Sequence, residues 1–252
     1  MSTKEIIAEI LEQYNLPKGR ILFLHTRIKP LRQLVGEAWS YRELSDFIVN
    51  YLNERYEPVT IMFPVYTYTF TKTGIYHRIF SKSEVGRFAE EQRLKQVYYR
   101  TPNPVFSILD TQGIIRNISH INHLTATGKN SLFTFLQKED AVIVNLSLDV
   151  IRPMQLHYYE ELLEVDYRFS KTFDGVLYHD ETNFEYVSFD YYVRKLDRHT
   201  EWNREKIKND LLQAGVWNIF KHGGLEFGWM NSSDLYEYVF RKMEVNPYYL
   251  IE

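Results

Sequence analysis

Residues 141–148, AVIVNLSL, constrain the fold more than any other stretch of this 252-residue chain. The run is short, apolar and β-branched at its centre, so it reads as a strand buried on both faces rather than as a helix. Two earlier runs, RILFLH at 20–25 and PVTIMF at 58–63, read the same way. Between them, residues 40–55 place Leu44, Phe47, Ile48, Tyr51 and Leu52 at helical spacing, with Ser40 as N-cap and Glu43 completing a capping box. Another amphipathic helix opens the chain at 3–15, and shorter ones are expected from Ser83 to about 96 and at 131–138. Helices alternating with apolar strands argue an α/β core.

The second half turns to β: strands at 165–169, a turn at Asp174-Gly175, and strands at 177–178 and 185–193. A helix at 201–212 stops at Gly215, a hairpin turns at His222-Gly223-Gly224, and a helix at 231–243 closes the chain. These strands are expected to join the same sheet or to form a small β-rich appendage over about 174–230. The length fits one domain over 1–252.

Composition removes several function classes. There is no cysteine, which excludes disulfides, thiolate metal sites and a cysteine acyl-enzyme. A net charge of -3 gives no reason to expect nucleic acid or an acidic membrane as partner. No basic-then-apolar leader and no span of about 18 apolar residues is present, so the expected location is cytoplasmic. His120 and His123 lie three apart with no third ligand in view and are not read as a metal site. The 20 tyrosines suit strands, and they also suit pockets that hold polar ligands such as sugars.

The strand at 141–148 leads to residues 150–171, VIRPMQLHYYEELLEVDYRFSK, where Pro153 is placed to start a helix. His157 and Glu160, three residues apart, share one helical face. A carboxylate on one imidazole nitrogen fixes the tautomer and raises the basicity of the other, the arrangement a general base needs. His25-Thr26-Arg27 end a strand where α/β sheets place ligands. Ser83-Glu84-Val85-Gly86 precede a helix whose N-terminus suits a phosphate, although Ser83 reads better as an ordinary N-cap. The aromatic stretch PVYTYTF from Pro64, with Tyr66, Tyr68 and Phe70, reads as a binding surface.

Taken in order, these stretches resemble the aminoglycoside 3-N-acetyltransferases. Lys18-Gly19 with a strand ending His25-Thr26-Arg27 is similar to that family's turn and strand ending in His-Ser-Ser. Met62-Phe63-Pro64-Val65-Tyr66-Thr67-Tyr68-Thr69-Phe70 resembles Met-Pro-Thr-Phe-Thr-Tyr-Ser-Phe, and Ser81-Lys82-Ser83-Glu84-Val85-Gly86 resembles Thr-Pro-Ser-x-x-Gly. Arg100-Thr101-Pro102-Asn103-Pro104-Val105-Phe106-Ser107 looks like Arg-Ser-x-His-Pro-x-x-Ser. Leu156-His157-Tyr158-Tyr159-Glu160 with Tyr167-Arg168 looks like Leu-His-x-x-Glu and its downstream Tyr-Arg. The match covers about 15–178.

The resemblance implies an α/β fold around a mixed sheet flanked by helices, with extra antiparallel strands from the second half. It implies acetyl-CoA, or another acyl-CoA, as co-substrate, lying across His25, Thr26, Arg27, Ser81, Ser83, Val85, Gly86 and Arg100. The implied catalytic pair is His157 and Glu160, acting as the base in a direct transfer to an amine. Tyr66, Tyr68, Asn103, Glu161 and Arg168 are the expected acceptor-binding residues. The chain departs from the family pattern at Asn103, which replaces a histidine, at Thr101 and Val65, and at Pro153-Met154-Gln155, which replace Asn-Thr-Ser. Arg152 and Arg168 also flank the acidic cluster of Glu160, Glu161, Glu164 and Asp166, where a polycationic drug would prefer acid alone. The expected acceptor is therefore an amino sugar, nucleotide-linked as one option, rather than a typical aminoglycoside. The alternatives are an O-acyltransferase and a family member that has lost chemistry and serves as a binding or scaffold protein. A monomer and a homodimer are equally compatible with the sequence.

Overall fold

The computed structural model describes residues 2–148 and 152–252. Positions 150 and 151 of the 150–171 stretch lie outside the described residues. With elements numbered in chain order, the three apolar runs become β1 (Ile21–Thr26), β2 (Thr60–Pro64) and β6 (Val142–Leu146). All three are parallel, with β1 in the middle: Leu22 is in register with Ile61 on one side and Val142 on the other.

Antiparallel strands close both flanks. β5 (Ile108–Asp110) and β4 (Tyr99–Arg100) extend the β2 side, and β10 (Leu225–Asn231) and β9 (Asn218–His222) extend the β6 side. The order is β4-β5-β2-β1-β6-β10-β9, a mixed seven-stranded sheet. The chain steps from β1 to β2, then crosses to the other side of β1 to form β6. The carboxyl ends of β1 and β6 thus meet at a topological switch point, where open α/β sheets bind ligands.

Strand alternation splits the core into layers. Leu22, Leu24, Val142 and Val144 pack against α1 (Thr3–Glu12), α2 (Ile28–Leu34), α3 (Tyr41–Tyr56) and α5 (Arg87–Leu94). Ile21, Phe23 and Met62 face α6 (Leu132–Lys138), while Ile143 packs against α7 (Gln155–Leu162), α8 (Arg204–Gln213) and α9 (Ser232–Val245). The capping box of α3 is present: Ser40 Oγ accepts from Glu43 N–H at 3.2 Å, and the Glu43 carboxylate accepts from Ser40 N–H at 2.8 Å. No helix among the described residues is long and apolar enough to cross a membrane.

The alternating Tyr66–Thr67–Tyr68–Thr69–Phe70 segment leads into the single turn α4 (Phe70–Thr73), closed by Gly74 at φ 65°. Two local expectations give way to other structure. Ser83 is not a helix cap, because α5 begins after Gly86. Asp174-Gly175 is not a turn either. β7 (Arg168–Tyr178) runs straight through it and pairs with β8 (Phe184–Arg194), and β3 (Ile75–His77) adds on to make a second, three-stranded sheet. Gly175 marks a close backbone approach instead: Val176 N–H donates to Gly74 O at 2.7 Å, and a Cβ at Gly175 would collide with that carbonyl and with the Phe70 ring. Downstream, the hairpin of β9 and β10 belongs to the central sheet.

Candidate active site

α7 follows β6 and sits at the switch point, beginning at Gln155, two residues after Pro153. On this helix His157 Nδ1 lies 2.8 Å from Glu160 Oε2. Glu160 is fully buried and holds two further partners. Trp202 Nε1–H donates to Oε1 at 2.8 Å, and Arg168 Nε lies 2.7 Å from Oε2, out of line for a hydrogen bond but close enough for an ion pair. The Trp202 ring also packs on the imidazole, with centroids 4.2 Å apart. One carboxylate is thus fixed by a histidine, an arginine and an indole, from α7, the start of β7 and the segment before α8.

The electrostatics follow from that packing. Burial alone would raise the Glu160 carboxyl, but the His157 hydrogen bond, the Arg168 charge and the Trp202 N–H outweigh it and hold the group below its ordinary value. Burial lowers His157 despite the opposing pull of Glu160, so the imidazole is neutral at pH 7. With Nδ1–H donating to an ionised Glu160, the lone pair sits on Nε2. Nε2 makes no hydrogen bond to another described residue. The ring opens onto a cleft of about 350 Å³ lined also by Tyr191, Arg194, Glu201, Trp202 and Arg204.

The structure brings the first part of the expected acyl-CoA cradle together. His25 and Thr26 end β1, and the Gly86 backbone (φ 119°) comes against the Thr26 carbonyl, so that a Cβ there would sit 3.8 Å from the oxygen. Arg27 is exposed beside them. His25 Nε2 and Thr26 Oγ1 are buried without a hydrogen-bond partner, as are both side-chain polar atoms of Asn145, which is in register with His25 on β6. Unpartnered buried polar atoms are costly, and their concentration at the switch point fits a polar ligand. Burial, reinforced by the Arg152 charge, lowers His25 to about 4, so this imidazole too is neutral. The same Arg152 charge acts on Arg204 and on Tyr68, which ties the strand end to the His157 cleft.

Other expected residues are occupied elsewhere. Arg100 is buried, and its five N–H donors go to Ser107 Oγ, Arg78 O, Ser81 O, Val65 O and Thr67 Oγ1 at 2.5–3.1 Å. It is a strut beneath the Ser81–Gly86 loop, with no donor left for a phosphate. Ser81 Oγ accepts from His77 N–H, Ser83 N–H donates to Glu90 at 2.9 Å, and Val85 packs into the apolar layer. The Ser83 amide therefore cannot stabilise an oxyanion. Asn103 is buried, donating to Thr125 O and accepting from the amides of Val105 and Phe106; it shapes a loop and does not face the acceptor cleft. Glu161 points to the other side of α7, where Thr127 Oγ1 donates to it at 2.6 Å in a separate cleft. Arg168 is engaged by Glu160 rather than free for substrate. Tyr66 is buried with an unpartnered hydroxyl, and Tyr68 beside it is partly exposed toward Tyr191. His120 and His123 form no metal cluster; among the described residues no group of three or more His, Cys, Asp or Glu could hold an ion.

Sequence reasoning missed Trp202, Arg204 and Asn145. Only Asn145 left a signal, as a lone amide inside an apolar strand.

A profile of the aminoglycoside 3-N-acetyltransferase family matches residues 46–244. No curated protein matches the sequence. Among solved structures, AAC-IIIb in its binary complex with CoASH is similar over 97% of each chain (TM-score 0.74, 14% identity). AAC-VIa bound to sisomicin is similar over 97% of this chain and 98% of its own (TM-score 0.76, 15% identity). YokD from Bacillus subtilis is similar over 98% and 94% respectively (TM-score 0.74, 12% identity). At these identities the likeness is one of fold.

Proposed function

The chain belongs to the aminoglycoside 3-N-acetyltransferase family, a family of acetyltransferases, and on that premise we propose that it transfers an acetyl or other short acyl group from acyl-CoA to the amine of an amino sugar. The observation that carries the reading is the His157–Glu160–Trp202 arrangement, with a neutral imidazole whose Nε2 opens onto a cleft. His157 Nε2 takes the proton of the attacking amine as the N–C bond forms and the thioester C–S bond breaks. Glu160 stabilises the resulting imidazolium through Nδ1–H, and His157 then returns the proton to the departing thiolate. With no cysteine in the chain, a thiol ping-pong route is excluded, which favours direct transfer in a ternary complex. For the donor, the fit is supported by the unpartnered Thr26 and Asn145 and by the Gly86 backbone against β1.

Acceptor choice is supported by the walls of the cleft. Tyr191 and Trp202 offer aromatic faces for a sugar ring. Arg194 and Arg204 with a single lining acid, Glu201, disfavour a polycation and suit an amino sugar carrying a phosphate or a nucleotide. Purified protein with acetyl-CoA and a panel of free and nucleotide-linked amino sugars should release CoA thiol in an acceptor-dependent way. A calorimetric titration without acetyl-CoA binding would remove the reading.

Trp202 is assigned as a positioning residue. Trp202→Phe keeps a ring against His157 but removes the N–H that restrains Glu160. It is expected to lower kcat roughly ten-fold, the scale of one hydrogen bond to a charged group, with KM for acetyl-CoA unchanged. A change confined to KM would instead make Trp202 a substrate contact.

A further inference from the structure

A second pocket, of about 220 Å³, opens at the outer edge of the central sheet beside β4 and shares no lining residue with the His157 cleft. Four arginines line it, Arg78, Arg93, Arg100 and Arg116, and no aspartate or glutamate does. Among the described residues only Arg93 of the four has a carboxylate partner, Glu90 at 2.7 Å. Arg100 is a buried charge whose five donors all meet neutral oxygens. Arg78 and Arg116 both lie against the Tyr99 ring, their guanidinium carbons 5.6 and 5.0 Å from its centre, and neither is ion-paired to a described residue. Asp110, opposite Tyr99 in the ladder, already accepts from the amides of Gln112, Gly113 and Ile115.

Three guanidiniums around one void, none of them ion-paired to a described carboxylate, repel each other, and an anion between them relieves that repulsion. Guanidiniums bind tetrahedral oxyanions through paired N–H donors, and a pocket of this size admits a phosphoryl group but not a whole nucleotide. We propose that this pocket binds a phosphomonoester dianion, held directly by Arg78 and Arg116 and favoured by the fixed charge of Arg100 behind them. Two sources carry that group. One is the 3′-phosphate of CoA, which would deepen the acyltransferase reading. The pocket lies four strand spacings from β6, roughly 19 Å at about 4.8 Å per step, within reach of the extended coenzyme. The other is a separate phosphorylated small molecule.

The test compares binding of CoA, dephospho-CoA and inorganic phosphate to the parent protein and to Arg78→Gln/Arg116→Gln. These side chains make no hydrogen bond to a described residue, so the double variant should keep the parent's melting temperature. If the pocket holds the 3′-phosphate, the parent binds CoA at least about ten-fold tighter than dephospho-CoA, and the variant binds both alike. If the ligand is a separate phosphate ester, the parent binds CoA and dephospho-CoA equally, yet binds inorganic phosphate that the variant does not. Phosphate binding lost in the variant, from a parent that ignores CoA, would overturn the acyltransferase reading and leave the pocket standing. The same affinities in parent and variant, or no binding of any probe, would overturn the proposal.

Discussion

Replacing His157 by alanine is expected to lower kcat by about 10³-fold while leaving the affinity for acetyl-CoA within about two-fold, in the range a positioned general base contributes. The split follows from where the ring lies. Its Nδ1 is committed to Glu160, its Nε2 faces the cleft, and it does not belong to the strand end assigned to the donor. The pH dependence carries a second check. Burial holds His157 below its ordinary value of 6.5, and the active form is the unprotonated one. In kcat/KM for acetyl-CoA, measured with the acceptor saturating so that protonation of the free amine does not enter, the parent's acid limb should therefore be centred below 6.5. In His157→Ala that acid limb should vanish. An acid limb that persists unchanged in the variant would assign the base elsewhere.

The dyad was legible in the sequence because its two residues are three apart on one helix, where backbone geometry alone makes them neighbours. The three buried strands and the Ser40–Glu43 box were legible for the same reason: each signal is local, whereas the parallel pairing of the strands is not. Side-chain direction was not. Glu160 and Glu161 are adjacent in sequence, yet a helix turns about 100° per residue, so one enters the dyad and the other faces a different cleft. Arg100 has the residue type of a phosphate ligand, but five inward acceptors claim it, and only the fold reveals that the neighbouring Arg78 and Arg116 keep their donors free of ion pairs. Gly175 read as a turn because glycine serves both turns and close packing, and nothing local distinguishes the two. Trp202 is 42 residues from Glu160, so its role depends on the β7–β8 hairpin returning the chain to α7.

Glu160 is where stability and chemistry should separate. Glu160→Ala leaves Arg168 buried without its carboxylate and Trp202 N–H without an acceptor. Breaking a buried pair from one side costs about 3–5 kcal/mol, and the melting temperature should fall by on the order of 10 °C. The deficit has a sign in pH. Glu160 is held below its ordinary 4.5 in the fold, so its stabilisation is complete above that value and lost as pH falls through the lower folded value. The gap between parent and Glu160→Ala should therefore be full at pH 7 and narrow below pH 4.5. Glu160→Gln keeps the volume and an acceptor for Trp202, so it should destabilise less. Yet it removes the charge that fixes the His157 tautomer and stabilises the imidazolium, and kcat should fall by about 10²-fold or more. Thermal denaturation and steady-state kinetics on the two variants distinguish the roles. A Glu160→Gln protein with parental kcat would mean that the carboxylate is structural and His157 acts without it. A Glu160→Ala protein with parental stability would mean that Arg168 finds another partner when the carboxylate is gone.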